Sequence, residues 1–171
     1  MPKGFPELTG PQKPPYQTTK ITTIESQVQI DKLLALYGIK DVIWARHEDQ
    51  ITLSFATTVE IDGISKRLAY KFNPPAFATK RKTWNKESGK YETLDLPNMA
   101  AGMRLLFDYL KNKLAAVFWG IAPFEEEFLS EMVIPGVDGP QTFGQYVKNR
   151  GLLELPETTD LKQIVEQKVI E

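Results

Sequence analysis

Gln50-Ile51-Thr52-Leu53-Ser54-Phe55-Ala56-Thr57-Thr58-Val59-Glu60-Ile61-Asp62-Gly63-Ile64-Ser65-Lys66-Arg67-Leu68-Ala69-Tyr70-Lys71-Phe72 decides the fold. Asp62-Gly63 is a two-residue hairpin turn, because both positions tolerate the positive φ that such turns demand. A turn there fixes the register: Ile61 faces Ile64, Val59 faces Lys66, Thr57 faces Leu68, Phe55 faces Tyr70 and Leu53 faces Phe72. One face is then apolar over most of its length, as a half-buried antiparallel sheet requires. The other carries Ser54, Ala56, Thr58, Arg67, Ala69 and Lys71. Working back, a turn at Glu48-Asp49 sets Trp44 beside Leu53 and Val42 beside Phe55, on the same buried face. Two independent turns agree on which side is inside, and the segment reads as a three-stranded meander.

Helices flank the meander. Thr22-x-x-Glu25 has capping-box spacing, Ile30, Leu33, Leu34 and Tyr37 form an apolar stripe, and Gly38 sits where a left-handed residue ends a helix. Ile24 and Val28 fall off that stripe. After the meander, Asn73-Pro74-Pro75 cannot extend a ladder, and a polar loop from Thr79 to Asp95 follows. Asp95 or Asn98 would cap the next helix, with Pro97 in its first turn. Met99, Met103, Leu106, Leu110, Leu114, Val117 and Ile121 recur at helical spacing as its core face, while Arg104 and Asp108 pair on the wet side. Pro123 then starts a short acidic helix whose Glu125, Glu126 and Glu127 suit its positive end.

The expected architecture is α+β: a three-stranded antiparallel meander with an N-terminal helix and a long C-terminal helix packed on one face. Short C-terminal helices would wrap the sheet's edge or outer face. Residues 1–19, with five prolines and two glycines, read as an extended Pro-rich arm. Residues 20–156 form a single domain, and residues 157–171 a tail with a marginal helix.

Composition excludes several classes of function. The 171-residue chain has no cysteine, which removes disulfides, thiolate nucleophiles and Cys-ligated metal. His47 is the single histidine, so no His–His metal site forms within one subunit. No apolar run reaches the roughly 18 residues of a membrane span. The start of the chain lacks the apolar stretch of a signal peptide, and the cytoplasm is the expected location. The net charge of −1 argues against bulk attraction to polyanions but allows a local basic patch. No Gly-rich phosphate loop, nucleophile elbow or cofactor motif occurs, so neither a cofactor nor a catalytic residue is assigned.

Lys80-Arg81-Lys82-Thr83-Trp84-Asn85-Lys86-Glu87-Ser88-Gly89-Lys90 is the candidate functional surface. Its five cations and one carboxylate surround an aromatic: Lys80, Arg81, Lys82, Lys86 and Lys90 would neutralise phosphates, and Trp84 would stack on an unpaired base. Arg67 and Lys71, on the outer sheet face, would extend this patch toward DNA or RNA. The plainer reading is a soluble hairpin whose Trp covers the sheet edge. Glu127 and Glu131, four apart, would share a divalent cation only if further carboxylates converged; dipole stabilisation explains the acidic run without metal. His47 beside Glu48 and Asp49 could serve as a base, yet a turn histidine facing solvent is the simpler assignment.

Asp108-Tyr109-Leu110, Leu114-Ala115, Gly120, Glu125-Glu126 and Phe128-Leu129 fall in order without a gap. Thr18-Thr19-Lys20-Ile21 precedes the first helix, and Ile134-Pro135 with Gly139-x-Gln141-Thr142 follows the acidic one. In these residues, over roughly Thr18 to Pro156, the chain resembles a family of uncharacterised small proteins encoded by tailed bacteriophages and prophages. It departs from that pattern with Tyr109 in place of a Trp, with Asn73-Pro74-Pro75 after Phe72, and with a longer basic loop. The resemblance implies a phage or mobile-element origin and a small α+β fold, and it transfers no catalytic position. The expected function is a non-catalytic accessory protein contacting nucleic acid. The alternative is a module that binds or inhibits a host or phage protein through the outer sheet face or the Pro-rich arm. Exposed strand edges would also permit self-association.

Overall fold

A computed structural model describes residues 15–47, 50–61, 63–75, 77–135 and 139–149, without the side chains of Arg81, Leu94 and Asp95. Most of the Pro-rich arm and the whole C-terminal tail lie outside the described residues. The meander is β1 (Asp41–His47), β2 (Gln50–Ile61) and β3 (Ile64–Phe72), in the order β1-β2-β3 and antiparallel throughout. Its register is the one the two turns dictate: Leu53 opposite Phe72, Phe55 opposite Tyr70, Ile61 opposite Ile64, and Trp44 opposite Leu53. Alternation therefore sends Ile51, Leu53, Phe55, Tyr70 and Phe72 into the core, where all are buried.

Two helices cover that inner face. In α1 (Thr23–Leu36) the capping box closes reciprocally, Glu25 N–H donating to Thr22 Oγ1 at 3.1 Å and Thr22 N–H to Glu25 Oε2 at 2.7 Å. Gly38, at φ +80°, ends the helix. Ile30 and Leu34 are buried in one core cluster with Leu53, Phe55 and the α2 residues, and Trp44 Nε1–H donates to Asp31 Oδ1 at 2.9 Å, tying α1 to β1. Ile24 and Val28, off the stripe, are exposed. The long α2 (Met99–Phe118) buries Met103, Leu106, Leu110 and Leu114 and packs alongside α1. Arg104 pairs with Asp108 at 3.9 Å, as their spacing predicts. Residues 15–19 turn back onto α2, where the Tyr16 hydroxyl donates to Asp108.

The sequence reading is corrected in three places. Of the two caps the sequence offers, Asn98 is the one used, accepting from Ala101 N–H at 3.1 Å, so Pro97 precedes the cap rather than filling the first turn. Ile121 lies beyond the helix end and is 78% exposed, because α2 stops at Phe118 and Gly120 takes φ +70°. The segment from Thr79 to Asp95 is not a loop but a second antiparallel hairpin, β4 (Ala78–Asn85) with β5 (Lys90–Pro97).

After α2 come α3 (Phe124–Glu127), a 3-10 turn (Leu129–Glu131), β6 (Val133–Ile134), β7 (Gln141–Thr142) and α4 (Phe143–Asn149). Phe128 anchors them: it is fully buried, 4.6 Å from the Phe124 ring and about 6 Å from those of Phe55, Tyr70 and Phe72. Met132 bridges to Tyr70 at the β3 edge. The C-terminal elements thus close one edge of the sheet. On its outer face Ile43 is 69% exposed and Ala45, Arg67 and Ala69 are exposed as well.

Candidate nucleic-acid interface

The β4–β5 hairpin is a two-stranded ribbon whose strands, among the described residues, pair only with each other. Its root is fixed at one residue. Asn98 N–H donates to Phe77 O at 2.7 Å, its side chain caps α2, and its Nδ2 donates to Gln17 O at 3.2 Å. Asn98 is 4% exposed, so helix start, ribbon base and N-terminal turn meet at one buried amide. A second constraint lies beside it. Gly102 in α2 faces the Pro75 carbonyl so closely that an added Cβ would stand 2.1 Å from the oxygen. Only a residue without a side chain lets the Pro74-Pro75 segment cross the helix there.

Strand alternation sorts the ribbon's residues into two faces. Lys80, Lys82 and Trp84 share one face with Tyr91, Thr93 and the position of Asp95, which pairs with Lys80; Lys80, Lys82, Trp84, Tyr91 and Thr93 are all exposed. Trp84 lies opposite Tyr91; their rings meet edge to face, with centroids 5.0 Å apart and planes at 69°. Both are open to solvent, Trp84 at 51% and Tyr91 at 70%. Thr79, Asn85 and Leu96 belong to the other face and are half-buried. That face also holds Glu92, which accepts from Asn85 Nδ2 at 2.9 Å and from Ser88 Oγ at 3.0 Å. The Asn85 carbonyl oxygen of the side chain accepts from Glu87 N–H at 2.9 Å, and Gly89 at φ +63° completes the turn.

The eight residues singled out in the sequence therefore separate. Lys80, Lys82 and Trp84 are brought together, and Lys86 sits in the adjoining turn. Arg81 and Lys90 occupy positions of the opposite face, and the Arg81 side chain lies outside the described set. Arg67 is bound to Asp41 of β1 at 2.7 Å, so its charge is already paired. Lys71 stands at a cleft of about 400 Å³ between β3, α2 and the 3-10 turn, together with Asn73, Tyr109 and Glu131. Tyr91 was missed because a loop reading gives it no partner; the signal was its position seven residues beyond Trp84 across a closed turn. The plainer sequence reading of this segment as a hairpin matches β4–β5, but Trp84 packs on Tyr91 and not over the sheet edge.

The acidic helix is answered by a lysine. Lys113 Nζ lies 3.6 Å from both Glu127 and Glu131, donates to Glu127 O, and sits 5.2 Å from the Phe128 ring centroid. An ammonium thus occupies the position a divalent cation would take. Among the described residues no group of three or more potential metal ligands converges. Tyr109 donates to Glu131 at 2.6 Å, and burial followed by that carboxylate holds its phenol well above the ordinary range. His47 is exposed at the end of β1. No described helix is long and apolar enough to cross a membrane.

Compared with protein-family models, curated proteins and solved structures, the chain matches none of them. The site is defined by its geometry alone.

Proposed function

We propose that this chain is a non-catalytic accessory protein of the phage type, acting in the host cytoplasm, that contacts nucleic acid through the β4–β5 ribbon. One observation carries the reading: Lys80, Lys82, Trp84 and Tyr91 stand exposed on one face of a two-stranded ribbon. Phosphate contacts by lysine release counterions, and aromatic rings add base contact, so the face has both components of a nucleic-acid surface. Of the β5 strand's two carboxylates, Glu92 is turned to the other face and engaged there, and Asp95 holds the position opposite Lys80, which leaves Lys82 beside the rings without an acidic partner across the ribbon. Fluorescence anisotropy with labelled DNA and RNA tests it. Neutralising about two to three phosphates gives a log–log salt slope of about −2, a loss of about 15-fold between 50 and 200 mM salt. Paired charge reversal, Lys80→Glu with Lys82→Glu, should abolish binding at low salt. Binding indifferent to that reversal would end the proposal.

The open outer face of the meander favours a second reading, a protein–protein module. Ile43, the small residues Ala45 and Ala69, and the β1 edge offer a surface that no described residue covers, with Arg67 and Asp41 paired beside it. A stoichiometric partner retained after nuclease treatment and lost on Ile43→Glu would favour it.

A further inference from the structure

We infer that the ribbon takes single-stranded rather than duplex nucleic acid, with an unpaired base stacked on the Trp84–Tyr91 pair; this rests on the reading of the ribbon as a nucleic-acid surface. A two-stranded ribbon fits the major groove of a duplex, where it reads base edges through hydrogen-bonding side chains. Apart from the Asp95 position opposite Lys80, the exposed face of this ribbon instead offers two lysines, a threonine and two large rings. A ring gains most from a base's π-face, and in a duplex those faces are covered by neighbouring pairs.

The ring geometry points the same way. Parallel stacking would hide one face of each ring against the other. At 69° and 5.0 Å, the edge of one ring meets the face of its partner, which leaves π-surface open to a third aromatic. The exposures of 51% and 70% show that nothing in the described chain covers it. Pairing across the ribbon fixes both backbones, so the rings are held ready rather than ordered on binding.

Cations are spaced to follow a strand leaving that platform. Lys82 and Lys80 lie two and four residues before Trp84 on the same face, about 7 and 13 Å along the strand. A base on the rings would therefore set its own and the next phosphates beside two ammonium groups. Stacking faces and phosphates are common to DNA and RNA, so either single strand fits the platform.

The test compares three probes on the full chain at low salt: an oligothymidine, a duplex of the same length, and an abasic strand that keeps the phosphates alone. The expected result is binding to the oligothymidine about 10- to 100-fold tighter than to either of the others, with quenching of tryptophan emission. Trp84→Ala should remove that advantage, while Trp84→Phe retains most of it. Equal affinity for all three probes, with tryptophan emission unmoved, would overturn the inference and leave a purely electrostatic ribbon. Failure to bind any of them would remove the nucleic-acid reading itself. The wild-type comparison needs no variant to fold.

Discussion

Gly102→Ala sets two effects of opposite sign against each other. In the interior of a helix, replacing glycine by alanine ordinarily stabilises by about 1 kcal/mol, through lower backbone entropy in the unfolded chain. Here the new Cβ would stand 2.1 Å from Pro75 O, close to 1 Å inside any tolerable contact, and 3.7 Å from Pro74 Cβ. The obstructing atom is backbone, in a segment where two successive prolines fix φ, so it cannot swing aside as a side chain would. Opening the helix–strap contact is an overpacking event of about 1–3 kcal/mol, and the stiffness of the strap places it at the upper end. The net expectation is a loss of about 2 kcal/mol, or about 4–8 °C in Tm for a chain of this length. Urea denaturation followed by circular dichroism measures it. The pair Asn112→Gly and Asn112→Ala, at an exposed site of the same helix, supplies the propensity difference alone. If Gly102→Ala proves as stable as wild type or more so, the close crossing of Pro74-Pro75 over α2 is refuted.

Three further outcomes are expected. Phe128→Ala should cost about 3–5 kcal/mol in the same denaturation assay, since it empties a fully buried site between four aromatic rings; a loss below about 1 kcal/mol would mean the C-terminal elements are not docked on the core. The Tyr70 hydroxyl is buried with no hydrogen-bond partner among the described residues, and burial, then Glu125, pushes its pKa up to about 12. Because the folded value is raised, stability is complete below the ordinary value near 10 and falls as pH climbs toward 12; Tyr70→Phe should be neutral or stabilising at pH 7 and should shrink that alkaline loss, read from denaturation at pH 9 and 11.5. Thr22→Ala removes the Oγ1 that accepts from Glu25 N–H, while the Thr22 backbone N–H still donates to Glu25; the change should cost about 1 kcal/mol, with loss of protection of the first-turn amides in hydrogen exchange.

The body of the fold was legible because its signals are local and mutually constraining. Asp62-Gly63 sets a register in which Leu53, Phe55, Tyr70 and Phe72 all fall inward, and a one-residue slip would expose every one of them. The capping box of α1 and the stripe from Met103 to Leu114 are likewise spacing rules that tertiary packing had no reason to override. The ribbon was legible only as the plainer of two readings, a hairpin without strand bounds or register. β4 is polar on both faces, with Lys80 and Lys82 on one and Thr79 and Thr83 on the other, so it announces no core side, and no two-residue glycine turn joins the strands. Gly102 reads as a mild flaw in a helix until Pro75 is placed beside it, which is a contact between distant segments. Lys113 reads as one more surface cation, and only the folding back of α3 brings Glu127 and Glu131 to it. For the candidate site, composition found the lysines and Trp84; pairing across the turn was needed to add Tyr91 and to part Lys80 and Lys82 from Arg67 and Lys71.

Nitrogen–proton correlation spectra during titration with an unlabelled oligothymidine test the ribbon account most directly, because the chain carries three indoles in three settings. Trp44 is bonded to Asp31 on the inner sheet face, Trp119 lies exposed beyond α2, and Trp84 stands on the ribbon. The account predicts that the Trp84 indole and the backbone amides of residues 80–91 shift together, while the indoles of Trp44 and Trp119 stay in place. Shifts centred on Trp119 or on the outer face of the meander, with the Trp84 indole unmoved, would contradict it.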